Sequence, residues 1–386
     1  MSNILEIINL PNSARNFIGN QFSYLQEHGN YKLHLICSWD DKIEAFAKQE
    51  GILYSPIQIN RRISIMNDIK AFIEICHYIK VHKIDIVIAH QAKARLLGML
   101  AANLMGVRYR IIFAHGILYE TMHGFKRWLI RENDRFVSKL SMRVVCVSNY
   151  VKNKRLEDKI DKPSKQLLLH CGSCNGIDAI HKFNPALYDD TKIEELKSLY
   201  SITNEDFIVG FVGRLVQDKG IIELIDGFQL IKAKYPNKKV KLLVVGNPEI
   251  RDALPADTLN IIKNSKDIIY TGSVPYEDIA VYYLLMNVFI LPSHRDGLGL
   301  VALEAAAMER PSIVSSITGC RETIIPNKTG SYVELTGESI CNTIEKYFDP
   351  ELIRSHGQNA RQFVLDSFER SIVNKAMLDL LNDLSN

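Results

Sequence analysis

The sequence lacks the features of a membrane-spanning, secreted or low-complexity chain. No segment approaches the roughly 20 uninterrupted apolar residues that a membrane-spanning helix needs, and no internal repeat occurs. The first residues, MSNILEIINLPNSARN, have neither a basic region nor a small-residue cleavage site. We therefore interpret them as a first strand rather than a signal peptide and expect a globular, cytoplasmic protein.

Cysteine is scarce and irregularly placed. The seven cysteines are odd in number and scattered along the chain, which argues against a disulfide framework. Only Cys171 and Cys174 have C-x-x-C spacing, with His170 beside them, and no second pair follows at zinc-finger distance. We interpret them as small residues in a tight loop rather than as a metal or redox site.

Three motifs of other protein classes are also missing. No G-x-G-x-x-G follows a predicted strand, which argues against a nicotinamide-dependent dehydrogenase. No recognisable nucleic-acid-binding module accompanies the basic residues, so we expect no nucleic-acid partner. No D-x-D occurs anywhere in the chain, so that metal-binding pattern is not available.

The sequence does contain enough residues for two domains. Single cores usually stop growing well below a chain length of 386 residues, and a content of 47% hydrophobic and 24% charged residues is typical of globular proteins. The net charge of +3 hides an asymmetry, because residues 1 to 185 contain 26 Lys+Arg and 16 Asp+Glu, whereas the remainder contains 21 and 28. A basic half suits anionic lipid or a phosphorylated substrate, and ordinary solvation is the alternative.

Both halves alternate β-rich runs with helical periodicity. The predicted strands are Asn3 to Asn9, Lys32 to Ser38, Asp85 to His90, Tyr109 to Ala114, Arg143 to Ser148, Phe207 to Val212, Val240 to Val245, Ile268 to Thr271, Val288 to Leu291 and Ser312 to Ser315. The predicted helices include Ile65 to Val81, Arg95 to Met105, Ile221 to Tyr235, Tyr276 to Leu285, Leu300 to Met308 and Glu351 to Leu384. This order predicts an α/β fold of two Rossmann-like, doubly wound parallel-sheet domains. We place them at residues 1–186 and 187–365, with a polar linker near residues 184–191 and a C-terminal helix, 366–386, packing back toward the first domain.

The segment GFVGRLVQDKG, Gly210 to Gly220, places two cations after a predicted strand. Arg214 follows the strand directly, and Lys219 begins the next helix, where the helix dipole disfavours a cation by about 0.3 to 1 kcal/mol. A bound anion would offset that cost, because helix N-termini favour phosphate and the two cations can bind a diphosphate from two directions. Two surface cations on a loop are the alternative.

The segment SHRDGLGLVALEA, Ser293 to Ala305, places two carboxylates eight residues apart. Asp296 lies in the loop after a strand, and Glu304 lies just beyond the first turn of the next helix. Gly297 and Gly299 let the backbone approach a ligand closely, and carboxylates accept hydrogen bonds from hydroxyl groups. The pair suits a nucleotide sugar, and an Asp-Gly turn with helix-favouring acids is the alternative.

These residues resemble the motifs of the retaining glycosyltransferases of family 4, which have the GT-B fold of two facing Rossmann-like domains with a cleft between them. The acid-x7-acid motif of that family is matched by Asp296 through Glu304, and its G-R-x4-K motif by Gly213, Arg214 and Lys219. The N-terminal half is similar to enzymes that assemble bacterial capsule and O-antigen repeats. The corresponding stretches are HQAKARLLGMLAANLMGV (His90 to Val107), FAHGILYE (Phe113 to Glu120), VVCVSNY (Val144 to Tyr150) and GSCNGID (Gly172 to Asp178).

The resemblance implies roles for the matching residues of the second domain. Arg214 and Lys219 would neutralise the diphosphate of the donor as the glycosidic bond breaks, and Glu304 would hold the ribose. The donor sugar would be held by Asp296 and by the backbone amides of Gly297, Leu298, Gly299 and Leu300. The sequence departs from the family pattern at two of these positions, because Asp296 is one methylene shorter than the usual Glu and Leu298 replaces the common Phe.

The resemblance also implies roles in the N-terminal half. His115 would reach the 6-position of the donor sugar, and Asn175 would serve the interdomain cleft; a core or turn histidine and a turn-forming Asn-Gly are the alternatives. The loop NLPNSARNFIGNQF lacks the double glycine that many relatives place against the diphosphate, and Gly19 is a possible substitute. Arg15 or Asn16 would contact the acceptor.

The reaction that the resemblance implies is transfer of a hexose, an N-acetylated or deoxy amino sugar, from a UDP-sugar to a polyprenyl-diphosphate-linked acceptor, with retention at the anomeric carbon. No cofactor or metal is expected, because the two cations supply the charge that a divalent ion would bring. The departing diphosphate would accept the proton of the incoming hydroxyl. The paired acids would therefore hold the substrate, unlike the acid and nucleophile of a glycoside hydrolase.

The segment HGFKRWLIRENDRFVSKL, His123 to Leu140, combines aromatic with basic residues. Such a helix suits an anionic membrane surface, so we expect peripheral association with the inner face of the cell membrane through the basic first domain. An ordinary helix whose apolar side packs inside that domain is the alternative.

Two other functions fit the same fold or ligand. An enzyme like UDP-N-acetylglucosamine 2-epimerase would act without an acceptor. A non-catalytic nucleotide-sugar-binding protein would keep its function after replacement of Arg214 or Glu304 by alanine.

Overall fold

The computed structural model describes residues 2–60 and 64–385, except the side chains of Asn16 and Ser385. The chain forms two compact units. The first comprises Met1–Gly176 and Arg370–Asn386, and the second comprises Ile177–Glu369.

A seven-stranded parallel sheet forms the centre of the first unit. Its strands are β1 (Ser2–Ile7), β2 (Tyr31–Ile36), β3 (Leu53–Ser55), β4 (Ile86–Ala89), β5 (Tyr109–Ala114), β6 (Arg143–Cys146) and β7 (Gln166–Leu167). They lie in the order β3-β2-β1-β4-β5-β6-β7. The run of β4, IVIA, is apolar and buried on both faces, as expected where helices cover both sides of a parallel sheet.

Within the described ranges 2–60 and 64–385, seven helices connect these strands. They are α1 (Pro11–Ile18), α2 (Gln21–His28), α3 (Asp41–Gln49), α4 (Ile65–His82), α5 (Ala92–Leu104), α6 (Gly124–Leu140) and α7 (Asn149–Glu157). Two of them begin at a side-chain cap: Asp40 accepts from the amide of Ile43 at 2.7 Å, and Ser148 accepts from the amide of Val151 at 3.2 Å. Such caps satisfy amides that have no partner within the helix.

The second unit contains a six-stranded parallel sheet. Its strands are β8 (Phe207–Val212), β9 (Val240–Val245), β10 (Ile268–Gly272), β11 (Val288–Leu291), β12 (Ser312–Ser315) and β13 (Gly330–Val333), in the order β10-β9-β8-β11-β12-β13. Its helices are α8 (Asp190–Leu199), α9 (Ile221–Lys234), α10 (Ala256–Asn264), α11 (Ile279–Leu284), α12 (Leu300–Ala307), α13 (Gly337–Lys346) and α14 (Pro350–Ser367). The strand order reverses between β8 and β11, where open α/β sheets bind ligands beyond the strand ends.

The end of the chain returns to the first unit. Helix α15 (Arg370–Ser385) contributes Val373, Met377 and Leu381 to an apolar cluster that includes Ile4 and Phe22. The helical segment predicted from Glu351 to Leu384 contains two helices, α14 and α15, because Phe368 leaves the helical conformation with φ −132° and ψ 3°. This turn lies close to the start of the predicted C-terminal helix, 366–386.

The structure divides the chain ten residues before the predicted domain end at 186. The segment after Gly176 packs in the second unit: the amide of Ile177 donates to the carbonyl of Phe368 at 2.7 Å, and Arg361 donates to the carbonyl of Phe183 at 2.9 Å. The polar character of residues 184–191 marks an exposed connection inside that unit, where α8 begins at Asp190.

Candidate active site

Loops of the second unit converge at the carboxyl ends of β8, β9 and β11. The amide of Gly213 donates to the carbonyl of Val245 at 2.9 Å, which ties the loop after β8 to β9. The amide of His294 donates to the carbonyl of Asp218 at 2.9 Å, which ties the loop after β11 to the same segment. These backbone contacts place the loops that contain Arg214, Lys219 and Asp296 at one edge of the sheet.

A glycine permits this close approach. Gly246 has φ 136°, and a Cβ atom there would overlap the carbonyl of Gly213. A side chain at residue 246 would thus both strain the backbone and separate the two loops.

Lys219 and Asp296 are brought into direct contact. Lys219 ends the short 3₁₀ helix Gln217–Lys219, and its ammonium donates to Oδ2 of Asp296. The two side chains are 14% and 18% exposed. A second ion pair joins the same two loops, because Arg295 donates to Oδ2 of Asp218 at 2.6 Å. The predicted cation and the predicted sugar-binding acid therefore neutralise each other, and a second ion pair holds their loops together.

Arg214 has a different partner. Its guanidinium is half exposed and donates to Oε2 of Glu249 at 3.0 Å. Glu249 lies in the loop between β9 and α10, and it was missed by sequence reasoning because an acid in that loop has no characteristic spacing to Arg214. Arg214 therefore lies just beyond the carboxyl end of β8 with its guanidinium half exposed to solvent.

The predicted amide segment forms the start of α12. Gly299 has φ 80° and ψ 54° and precedes the helix without a side-chain cap. Leu298 is buried, so its side chain belongs to the core rather than to a surface that a ligand could contact. The carbonyl of Asp296 accepts from the amide of Gly319 at 3.0 Å. This hydrogen bond connects the loop before α12, which contains Gly297, to the turn after β12.

Glu304 lies deeper than the other predicted residues. It is 8% exposed in α12, and the hydroxyl of Tyr283 in α11 donates to its Oε2 at 2.8 Å. Burial, together with the charge of Glu304 and this hydrogen bond, raises the pKa of Tyr283 well above its ordinary value. The phenol therefore remains a donor that orients the carboxylate. Sequence reasoning missed Tyr283 because it lies in the apolar run VYYLL.

His115 lies directly after β5 in the first unit. Its Nε2 is 2.9 Å from Nδ1 of His90, and its ring stacks on Phe17 of α1 with centroids 4.1 Å apart. Burial, then the neighbouring His90 and Arg95, lowers the pKa of His115 well below its ordinary value. The imidazole is therefore neutral at physiological pH.

The other predicted residues of the first unit lie near α1. Gly19, with φ 54°, ends α1, and a Cβ atom there would be 3.1 Å from Nδ2 of the buried Asn175. Arg15 donates to Oδ1 of Asp40 at 2.9 Å, so its charge is already paired. Asn16 is also in α1, but its side chain lies outside the described residues.

The expected absence of metal and redox sites stays a prediction. Among residues 2–60 and 64–385 no group of three or more His, Cys, Asp or Glu side chains is arranged to hold a metal ion. Cys171 is exposed and Cys174 is buried, both as free thiols. Burial raises the pKa of Cys174 to about 12, so that thiol is a poor nucleophile.

Helix α6 exposes most of its apolar residues. Its exposed side chains include Phe125 at 74%, Trp128 at 50%, Leu129 at 47% and Phe136 at 45%. The residues that α6 buries are Asp134, Val137 and Ser138. The alternative in which the apolar side of this helix packs inside the domain is therefore wrong for these four residues. In the described part of the chain, no helix has the length and apolarity to cross a membrane.

Comparison with known proteins places a family model on each unit. Residues 192–363 match the family of glycosyl transferases group 1, and residues 6–146 match the family described as glycosyl transferase 4-like.

Curated relatives cover nearly the whole chain. The chain is 29% identical to the capsular polysaccharide biosynthesis glycosyltransferase CapM of Staphylococcus aureus, over 94% of this chain and 92% of that protein. It is 25% identical to the UDP-Gal:alpha-D-GlcNAc-diphosphoundecaprenol alpha-1,3-galactosyltransferase of Escherichia coli, over 92% and 88%.

Solved structures share the fold. A glycosyltransferase from Rickettsia africae superposes with a TM-score of 0.80 at 22% identity, over 100% of this chain and 99% of that one. HepE of Anabaena, in complex with UDP and glucose, superposes with a TM-score of 0.80 at 16% identity, over 99% and 100%. With two parallel-sheet units, one family model on each, and relatives along its length, the chain belongs to the family 4 glycosyltransferases and has their GT-B fold.

Proposed function

We propose that this glycosyltransferase transfers a hexose from a UDP-sugar to a lipid-diphosphate-linked saccharide during bacterial surface polysaccharide synthesis. The observation that carries the donor assignment is the contact between Lys219 and Asp296 at the carboxyl ends of β8 and β11. The relatives support the acceptor class, because CapM is a capsular enzyme and the Escherichia coli relative acts on a sugar linked to diphosphoundecaprenol.

The charges at this edge suit a diphosphate that leaves. Lys219 and Arg214 would bind the diphosphate, and Asp296, released from Lys219, would accept hydrogen bonds from the donor sugar. As the bond between C1 and the diphosphate oxygen breaks, the acceptor oxygen bonds to C1 on the same face. The acceptor's proton moves to the departing oxygen, so the proposed reaction retains the anomeric configuration without a side-chain nucleophile.

The same cations make a divalent metal unnecessary in this proposal. Their two positive charges offset the charge that develops on the leaving diphosphate. Transfer should therefore continue in the presence of a chelator, and loss of activity that added Mg²⁺ or Mn²⁺ restores would contradict this part of the proposal.

We also propose that α6 holds the enzyme on the membrane that contains the acceptor. The exposed Phe125 and Trp128 flank the exposed Lys126, which combines apolar anchors with positive charge. Such a combination favours anionic lipid.

The proposed donor is tested by thermal unfolding with a panel of UDP-, GDP- and dTDP-sugars. A ligand at 100 times its dissociation constant stabilises a protein by about 2.7 kcal/mol, so the true donor should raise the melting temperature measurably. A product assay with and without lipid-diphosphate-linked saccharide then separates transfer from epimerisation. A panel that gives no shift, or conversion of the donor without acceptor, would refute the proposed function.

A further inference from the structure

Three titratable side chains form a hydrogen-bonded chain across β1, β4 and β5 of the first unit. Glu6 lies in β1, and His90 and His115 directly follow β4 and β5. Nε2 of His90 is 3.1 Å from Oε2 of Glu6, and Nδ1 of His90 is 2.9 Å from Nε2 of His115. Glu6 is 1% exposed and His90 is 2% exposed. The first two members are therefore sealed from solvent, and only His115 is partly exposed.

Aromatic rings fix the planes of both imidazoles. Phe113 stacks on His90 with centroids 4.6 Å apart and planes 10° apart. Phe17 stacks on His115 with centroids 4.1 Å apart and planes 15° apart. The stacking orients each ring so that its nitrogens point along the series of hydrogen bonds from Glu6 to His115.

The carboxylate determines the direction of the hydrogen bonds. An ionised carboxylate only accepts, so where Glu6 is ionised and His90 has a single ring proton, that proton lies on Nε2 and is donated to Glu6. Nδ1 of His90 then has a lone pair and accepts from Nε2 of His115. His115 is neutral, because burial, His90 and Arg95 lower its pKa, and so it has one proton only. Its Nδ1 is left with a lone pair, and no hydrogen-bond partner for that nitrogen lies among residues 2–60 and 64–385.

We propose that Glu6 and His90 are positioning residues that fix His115 in the tautomer protonated at Nε2, so that Nδ1 accepts a hydrogen bond from a hydroxyl group. The assignment of that hydroxyl to the donor sugar rests on the proposed function. The tautomer itself does not, since it is inferred from the contacts of Glu6 with His90 and of His90 with His115, with Glu6 ionised and one proton on each imidazole.

The tautomer is measured by long-range ¹H–¹⁵N correlation spectra of the full-length protein labelled at histidine. A His115→Gln variant identifies the signals of His115. We expect Nδ1 of His115 to have the shift of an unprotonated nitrogen and Nε2 that of a protonated one. The opposite pattern in the wild-type protein would overturn the proposal without any need for a further variant.

Glu6→Gln tests the role of the carboxylate. An amide can present either its oxygen or its NH2 group to His90, so both tautomers of His115 should become populated. Glu50→Gln is the matched control, because Glu50 is a buried carboxylate of the same unit whose partner is Ser23, at 2.6 Å from the hydroxyl. A His115 tautomer that does not respond to Glu6→Gln, or that responds equally to Glu50→Gln, would contradict the proposal.

Measurement of sugar transfer by the variants distinguishes a failure of this inference from a failure of the proposed function. Loss of one oriented hydrogen bond corresponds to about a tenfold fall in kcat/KM, expected for Glu6→Gln and not for Glu50→Gln. The stated tautomer together with no response to any nucleotide sugar would refute only the function. An active transferase with the reversed tautomer would refute only the positioning role.

Discussion

At the scale of single residues, the contact between Lys219 and Asp296 means that the free site is internally neutralised. A diphosphate must compete with the Asp296 carboxylate for Lys219. We predict that Asp296→Asn raises the affinity for UDP by about fivefold, the effect of one partly exposed ion pair. The same variant should lower kcat/KM for transfer by at least tenfold, because the sugar loses a charged acceptor. Calorimetry with UDP and kinetics with the UDP-sugar measure both effects.

Asp206→Asn provides the control for that substitution. Asp206 pairs with Lys241 at 2.9 Å, before β8 and away from the ligand edge. The control should lower stability while leaving the affinity for UDP unchanged. Weaker binding of UDP to Asp296→Asn would show that the carboxylate does not compete with the diphosphate.

The hydrogen bond from Tyr283 to Glu304 gives a second residue-scale prediction. Tyr283→Phe removes a donor to a buried charged acceptor, which is worth about 1.5 to 3 kcal/mol. If Glu304 binds ribose, UDP should bind about tenfold more weakly, and inorganic diphosphate, which has no ribose, should bind as before. Calorimetric titration with both ligands measures the difference.

A neighbouring tyrosine serves as the control for Tyr283→Phe. The hydroxyl of Tyr282 contacts the hydroxyl of Tyr200 at 3.3 Å, so Tyr282→Phe changes the same helix without touching Glu304. An equal loss of affinity for UDP and diphosphate in Tyr283→Phe would contradict a ribose-specific role.

The sequence predicted residues that lie in motifs with a characteristic spacing. It did not predict residues whose contacts with the site form only when distant parts of the chain come together. Lys219 and Asp296 were predicted because each lies in a motif after a strand. Glu249 and Tyr283 were not predicted, because contact with Arg214 or Glu304 depends on which strands are neighbours in the sheet. Such contacts are set by strand order, which a local pattern does not contain.

At the scale of elements, α6 presents aromatic residues and cations on its outside. We predict that the double variant Phe125→Ser with Trp128→Ser lowers binding to vesicles containing anionic lipid by more than tenfold. Each large apolar side chain contributes about 1.5 to 3 kcal/mol when it is buried. Lys126→Glu should weaken binding severalfold and reduce its dependence on salt. Vesicle co-sedimentation at two salt concentrations measures both effects.

Two exposed leucines of the second unit provide the control for α6. Leu199 is 68% exposed and Leu230 is 46% exposed, so the Leu199→Ser with Leu230→Ser variant removes comparable apolar surface elsewhere. Binding should not change in that variant. A wild-type protein that ignores anionic lipid, or equal losses in both double variants, would refute the membrane role of α6.

The long periodic elements were predictable, and the short ones were not. Strands such as β8 and β9 were predicted with the bounds that the structure shows, because apolar runs buried on both faces stand out from their surroundings. β3 has three residues and β7 has two, too few to show a period. The division between α14 and α15 lies close to the predicted start of the C-terminal helix at 366. The amphipathic pattern does not show the turn itself, because Phe368 keeps an apolar residue buried there.

At the scale of the whole molecule, two Rossmann-like units were predictable and the exact path of the chain was not. Alternating strands and helices imply parallel sheets on each side of a midpoint. The crossing at Gly176, rather than at the polar segment near Asn184, depends on backbone hydrogen bonds such as that from Ile177 to Phe368. Polar composition marks solvent exposure, which is not the same as a boundary between units.

The return of α15 to the first unit predicts that a substitution near the C-terminus destabilises the N-terminal unit. Leu381 is fully buried in the apolar cluster with Phe22, so Leu381→Ala should cost about 2 to 5 kcal/mol. Both tryptophans, Trp39 and Trp128, belong to the first unit. Their fluorescence in a urea titration should therefore show a lower midpoint for Leu381→Ala.

The second unit provides the internal reference for that experiment. Binding of UDP to Leu381→Ala should persist at urea concentrations just above the tryptophan midpoint, because the residues proposed to bind it lie between Ile177 and Glu369. Lys375→Ala, on the exposed face of α15, should leave the midpoint unchanged, since its ion pair with Asp379 is solvent-exposed. An unchanged tryptophan midpoint in Leu381→Ala would mean that α15 does not stabilise the unit whose core it completes.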